Sequence, residues 1–280
     1  MKKISLANNK VTLLNGLEAA YYDSGDMDGI MPKGTAVILL HGYCGSSAYW
    51  EKILPALHNL GRIVIPDLRG HGLSSAPDEE SYAMETFAED LGLLAGELRI
   101  DKICLFGHSL GGYAALAYAE KNDGRLKTLG LVHSTALPDG AEAKQNRDKA
   151  VQAIQAEGIE PFVDGLVPKL FAPHNREEMK AAIERVMEIG YGTNAAGAAA
   201  TARGMKNRAD RSSVLEGLGL PRLLIAGSED GVIPAEKTFT AEGADVSQVL
   251  LDGCGHMSML ESPGELASRI VAFVRHQFVK

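Results

Sequence analysis

The chain has 280 residues, 45% apolar and 23% charged, proportions of an ordinary globular protein that exclude a disordered chain and a coiled coil. Lysine plus arginine number 28 against 36 aspartates and glutamates, a formal charge of −8 with no basic run. Nucleic acid and an anionic membrane surface are therefore poor partners.

The start, MKKISLANNK, carries two lysines, but Asn8 and Asn9 end the apolar stretch before the core of a secretory signal forms. No later segment reaches the ~18 consecutive apolar residues of a membrane span. The three cysteines, Cys44, Cys104 and Cys254, make no CxxC pair and no zinc-like spacing, which fits free thiols in a reducing compartment. The expectation is a cytoplasmic protein.

Residues 17–22 read as an antiparallel edge strand. Buried-strand runs follow at 36–40, 62–65, 102–106, 128–132 and 222–226, most of them leading into Gly or Asp. Residues 246–251 alternate less cleanly and form the last strand. Helical periodicity covers 84–98, 110–121 and 263–278. This alternation predicts an α/β fold with a mostly parallel sheet flanked by helices. From 136 to 212 there is no strand-like run, only helical sequence broken by Pro161, Pro168 and Pro173. Such a segment is too long for an ordinary connection. It predicts a helical cap over 136–212, inserted into a core domain of 1–135 and 213–280. In it, the run from Ala195 to Ala200 suits close helix packing.

Gly107-His-Ser-Leu-Gly111 matches G-x-S-x-G, with a strand entering and a helix leaving, the context that a nucleophile elbow requires. The turn strains the serine backbone, and side chains at Gly107 or Gly111 would strike neighbouring backbone. Ser109 is then presented above the sheet, at the positive end of a helix. A hydroxyl needs a base. Of the eight histidines, His256 lies in a glycine-flanked loop after the last strand. His133 reads as a strand-end residue, and His58 and His276 as solvated helix positions. No pair has metal-ligand spacing, so neither metal nor cofactor is expected. Asp230, just after the 222–226 strand, can orient His256; Glu229 and Asp252 are the neighbouring alternatives. The oxyanion donors are the amide of Leu110, after the nucleophile, and that of Tyr43, where Gly42 lets the loop turn.

The blocks His41-Gly-Tyr-Cys-Gly45, Asp67-Leu-Arg-Gly-His-Gly-Leu-Ser74 and Gly107-His-Ser-Leu-Gly-Gly112, with the Asp230 and His256 loops, resemble the α/β-hydrolase superfamily. The order Ser109, Asp230, His256 is that superfamily's order. The resemblance runs from about residue 17 to the end, the cap matching only in position and helical character. It implies a capped serine esterase or lactonase, with Asp67 to Ser74 as a structural turn beneath the cap. Relatives that are dehalogenases or epoxide hydrolases carry Asp at the nucleophile, and HGGG-type lipases differ in the oxyanion block.

The expected activity is hydrolysis of small to medium carboxylic esters through an acyl-enzyme, by a monomer or homodimer without a membrane partner. Alternatives in the same class are an enol-lactonase or C–C hydrolase, a proline-iminopeptidase-type aminopeptidase and an acyltransferase. A slow-turnover small-molecule receptor is the alternative from another class. An aminopeptidase would hold an amine with cap acids, yet Glu157, Glu160, Glu177, Glu178 and Glu184 are spaced like a solvated face. His41, Gly42, His108, Met257, Phe162, Leu166, Phe171 and Met187 are the candidates for contacting substrate. For His41 and His108 the plainer role is backbone support, and for the cap residues it is helix packing.

Overall fold

The computed structural model describes residues 3–121 and 124–279; Met1 and Lys2 of the basic start lie outside them. Eight strands form one sheet: β1 (Asn9–Thr12), β2 (Glu18–Asp23), β3 (Thr35–Leu40), β4 (Arg62–Pro66), β5 (Lys102–His108), β6 (Leu126–Val132), β7 (Arg222–Gly227) and β8 (Val246–Leu251). They lie in the order β1-β2-β4-β3-β5-β6-β7-β8. β1 and β2 are antiparallel to their neighbours, and the rest run parallel.

The strand expected at 17–22 is β2, antiparallel as read but not at the edge. β1 pairs outside it, Asn9 opposite Tyr21. Its sequence, Asn-Lys-Val-Thr, is mostly exposed, so no apolar run announces it.

Parallel strands covered on both faces are apolar throughout, and β3 and β7 are buried at every position. The period of two divides them between two cores. On one face Val37, Leu39, Cys104 and Phe106 pack with Trp50, Ile53, Leu266, Ile270 and Val274. On the other, Ala36, Ile38, Leu40 and Leu105 pack with Phe87, Leu91, Leu94 and Leu116.

The helices, in chain order, are α1 (Leu54–Leu57), α2 (Met84–Glu97), α3 (Leu110–Lys121), α4 (Ala141–Glu157), α5 (Ile159–Leu166), α6 (Lys180–Tyr191), α7 (Ala195–Lys206), α8 (Ser212–Gly217), α9 (Ala235–Thr238), α10 (Ser258–Glu261) and α11 (Pro263–Phe278). None is long and apolar enough to cross a membrane among the described residues. Helices α4 to α7 all lie between β6 and β7. Along α7, Gly197, Ala198, Thr201, Ala202 and Met205 are buried. A Cβ on Gly197 would stand 2.7 Å from Gly70 Cα, so α7 sits directly on the turn after β4.

Asp67 fixes that turn. Its carboxylate accepts from the Ser47 amide (2.7 Å), the Leu73 amide (2.8 Å) and the Ser5 hydroxyl (2.6 Å). β3 lies between β4 and β5, so the chain reverses its direction of travel across the sheet there. In open α/β sheets ligands bind at such a switch point, beyond the carboxyl ends of the strands.

Candidate active site

β5 ends at His108 and α3 begins at Leu110, leaving Ser109 alone at the turn with φ +50°. A non-glycine residue in that region carries strain that its surroundings must hold. They do so tightly. A Cβ on Gly107 would lie 2.3 Å from Gly111 C, and one on Gly111 2.5 Å from Leu40 O. The Ser109 amide donates to Val132 O (3.0 Å), and Ser134 Oγ donates to Ser109 O (2.8 Å). The Leu110 amide, in the first turn of α3, has no acceptor within its own helix.

The loop after β3 crosses this turn closely. A Cβ on Gly42 would lie 2.6 Å from His108 Nδ1 and 3.4 Å from Ser109 Cβ. Tyr43, the next residue, sends its hydroxyl away to Ala198 O of α7 (2.9 Å) and its ring against Phe162.

His256 is buried, and its amide donates to Leu170 O (2.7 Å). Its Nδ1 lies 2.7 Å from Asp230 Oδ2. The other oxygen, Oδ1, accepts from the amides of Val232 (2.8 Å) and Ile233 (2.9 Å). Burial by itself would raise the Asp230 carboxyl, but the His256 and His133 rings outweigh it and hold it well below the usual carboxylate range. Asp230 is the acid that meets His256. Glu229 turns outward to His174 Nδ1 (3.0 Å), and Asp252 lies near the Ser228 hydroxyl (3.4 Å).

His108 ties the two halves of the site. Its Nε2–H donates to His256 O (2.9 Å), and the two rings are 4.9 Å apart. Burial, then His256 and His133, hold the His108 imidazole well below its ordinary value, so it is neutral. His41 is likewise spent on backbone: Nδ1 bonds Gly42 O (2.8 Å) and Nε2 accepts from the Leu68 amide (2.9 Å). Neither nitrogen of His41 is left for substrate.

Phe162, Leu166 and Met187 are half-buried on the helical insertion, whereas Phe171 and Met257 are buried. The segment around Phe171 supports the His256 loop, since a Cβ on Gly255 would lie 2.3 Å from Ala172 N. The five glutamates of the insertion named above are exposed, and so is His276; His58 is half-buried. Cys44, Cys104 and Cys254 are buried free thiols. Burial pushes the Cys254 thiol up to about 12.

A family model described as the α/β hydrolase fold matches residues 35–263, which span the sheet from β3 to β8 and every loop of the site. The chain belongs to the α/β-hydrolase family. A thermophilic esterase from Thermogutta terrifontis superposes with a TM-score of 0.87 at 29% identity, over 97% of this chain and 99% of that one. Lipase 3 of Moraxella is 26% identical over 97% of this hydrolase and 85% of its own length. The dihydrolipoyllysine-residue acetyltransferase component of the acetoin cleaving system of Pseudomonas putida is 29% identical over 86% of the chain, which spans 64% of that protein.

Two groups of this hydrolase were not singled out from its sequence. The first is His133, with φ +48°, whose Nδ1 lies 3.0 Å from the same Asp230 oxygen that meets His256. Its position at a strand end was visible; its partner was not. His133, Asp230 and His256 are the cluster whose donor atoms, all within 4.8 Å, could hold a metal ion among the described residues. Both Nδ1 atoms, however, stand at hydrogen-bond distance from Asp230 Oδ2.

The second is Arg147 of α4, whose spacing from Val151 and Ile154 puts it on the helix's inward face. Its Nε donates to Asp139 Oδ2 (3.1 Å), and Asp139 Oδ1 is held by Arg208 Nη1. Arg208 is further spent on Leu137 O (3.1 Å) and on the Tyr113 ring, 4.0 Å beneath its guanidinium. Tyr113 lies one helical turn beyond Ser109. Two guanidinium groups therefore share one carboxylate at the seam between the insertion and the nucleophile helix.

Proposed function

We propose that this hydrolase cleaves carboxylic esters of small to medium size, with Ser109 as nucleophile, His256 as general base and Asp230 as its orienting partner. The observation that carries the reading is the 2.7 Å bond between His256 Nδ1 and a buried, ionised Asp230; Ser109 stands on a strained strand-to-helix turn whose preceding residue, His108, donates to the His256 carbonyl. The likeness to the Thermogutta esterase supports the same chemistry.

His256 Nε2 takes the Ser109 proton as the hydroxyl attacks the ester carbonyl. The tetrahedral oxyanion sits between the amides of Leu110 and Tyr43. His256 then protonates the leaving alcohol, and a water activated by the same imidazole releases the acid. Residues 136–212 act as the cap, with Phe162, Leu166 and Met187 shaping the substrate pocket over the core of 1–135 and 213–280.

Purified wild type and Ser109→Ala, assayed side by side on p-nitrophenyl esters from acetate to palmitate, test this. Turnover greatest on short or medium chains and abolished in the variant, with Tm nearly unchanged, is expected. Full turnover by Ser109→Ala would overturn the mechanism.

Arg147 favours a narrower reading, in which the ester or lactone carries a carboxylate. Among the described residues Asp139 is the carboxylate that pairs with both cations, and Arg147 is 25% exposed whereas Arg208 is 6%. Its planar fork suits a carboxylate. On that reading, Arg147→Gln lowers the ratio of kcat/KM for p-nitrophenyl hydrogen succinate over p-nitrophenyl butyrate by about tenfold or more. An unchanged ratio would reject it.

A further inference from the structure

We propose that His133 is a positioning residue for the base: by sharing the Asp230 oxygen that holds His256, it sets the pH range in which His256 accepts the nucleophile's proton. This rests on the reading of Ser109, His256 and Asp230 given above.

The geometry fixes the proton on His133. Asp230 Oδ2, 3.0 Å from His133 Nδ1, belongs to an ionised carboxylate, which can only accept, so Nδ1 carries the hydrogen. The opposite nitrogen, Nε2, lies 2.7 Å from Ser258 Oγ. His133 is wholly buried, and burial, its largest influence, draws the imidazole below its ordinary value even though Asp230 opposes this. The ring is neutral, so Nε2 accepts from the Ser258 hydroxyl.

Asp230 thus receives four N–H groups. Val232 and Ile233 supply backbone amides to Oδ1, and His133 and His256 supply imidazoles to Oδ2. A carboxylate offers about four lone-pair sites, and here all are taken. Each donor draws on the same negative charge, so each one leaves less of it to stabilise an imidazolium at His256. His133 adds this effect without adding charge. It also links three separate elements, the end of β6, the turn after β7 and, through Ser258, the start of α10.

Other titratable groups also face the pair. His108 comes from the end of β5, its ring 4.9 Å from His256 and 6.0 Å from His133. Glu261 of α10 accepts from the amides of Gly255 and Met257, and Cys254 precedes the His256 loop. His108 is neutral and donates to the His256 carbonyl, Cys254 is held as a thiol, and Glu261 is engaged by loop amides. Among these, His133 is the group hydrogen-bonded to the Asp230 oxygen that meets His256.

Two near-isosteric replacements separate donation from packing. Asparagine tolerates a positive φ and can carry an N–H where Nδ1 now stands, while leucine has the same branching and no donor. The full-length wild type, His133→Asn and His133→Leu would be titrated by nitrogen NMR of labelled histidine. The pH profile of kcat/KM on p-nitrophenyl acetate would be recorded beside it.

In His133→Leu the His256 midpoint rises by about one unit. The acid limb of kcat/KM moves with it, and kcat changes more than KM. In His133→Asn the midpoint stays with wild type. A midpoint in His133→Leu that stays or falls overturns the proposal, and so does an equal rise in His133→Asn. Should His133→Leu not fold, the wild-type spectrum still decides: a proton on Nε2 of His133 rather than Nδ1 overturns it. If no ester is turned over, the esterase reading fails by itself, because the NMR midpoints judge His133 without catalysis.

Discussion

At the scale of single residues, the site depends on which acid reaches His256. Asp230, Glu229 and Asp252 are all near it in sequence or fold, but the turn after β7 points Asp230 inward and leaves Glu229 on His174. Asp230→Asn removes the charge and lets the amide donate where the carboxylate accepted, so His256 turns to the wrong tautomer. We expect kcat to fall by about 10⁴-fold, the loss that the same replacement causes in a serine protease triad. Glu229→Gln should change kcat less than about twofold, since its partner is half exposed and such ion pairs contribute little. Steady-state kinetics of the two variants measures both, and a larger loss in Glu229→Gln would reassign the acid.

At the scale of elements, the insertion meets the core through small residues. Gly197 on α7 stands against Gly70, and Tyr43 bonds Ala198 of the same helix from the loop beside Ser109. Gly197→Val forces α7 off the turn after β4. We expect it to cost about 1–3 kcal/mol and to raise KM for esters. Gly165→Ala on α5, where a Cβ meets nothing within 4 Å, should instead stabilise by about 0.5–1 kcal/mol. Urea unfolding of both variants gives the two signs; a loss of equal size in both would mean that α7 does not rest on that seam.

At the scale of the whole molecule, the fold encloses several neutral imidazoles. Burial holds His41 down to about 4 and His71 down to about 3, against about 6.5 in an unfolded chain. Depressed groups give their full stabilisation above the unfolded value, and that stabilisation drains as the pH falls toward the folded values. Each histidine then costs up to about 1.4 kcal/mol per pH unit, so the two together remove about 3 kcal/mol between pH 6.5 and 5. Urea midpoints recorded across that range should fall steeply. A flat profile would show that these rings are protonated in the folded protein.

Much of this was legible in one dimension. The buried strands announce themselves as apolar runs, because a parallel sheet covered on both faces leaves no polar position to break the pattern. The serine turn is legible because its backbone strain and close approaches restrict Gly107 and Gly111 to glycine. β1 escaped because a polar edge strand has no such signature, its pairing being supplied by β2. The sequence by itself determined the parallel strands of the sheet, the serine turn and the loops bearing Asp230 and His256, since each follows from local pattern. Only the tertiary structure decided that His133 shares Asp230, 97 residues away, and that Arg147 and Arg208, 61 residues apart, lean on Asp139. Hydrogen bonds between distant polar side chains leave no periodicity, and a buried histidine is spelled like an exposed one.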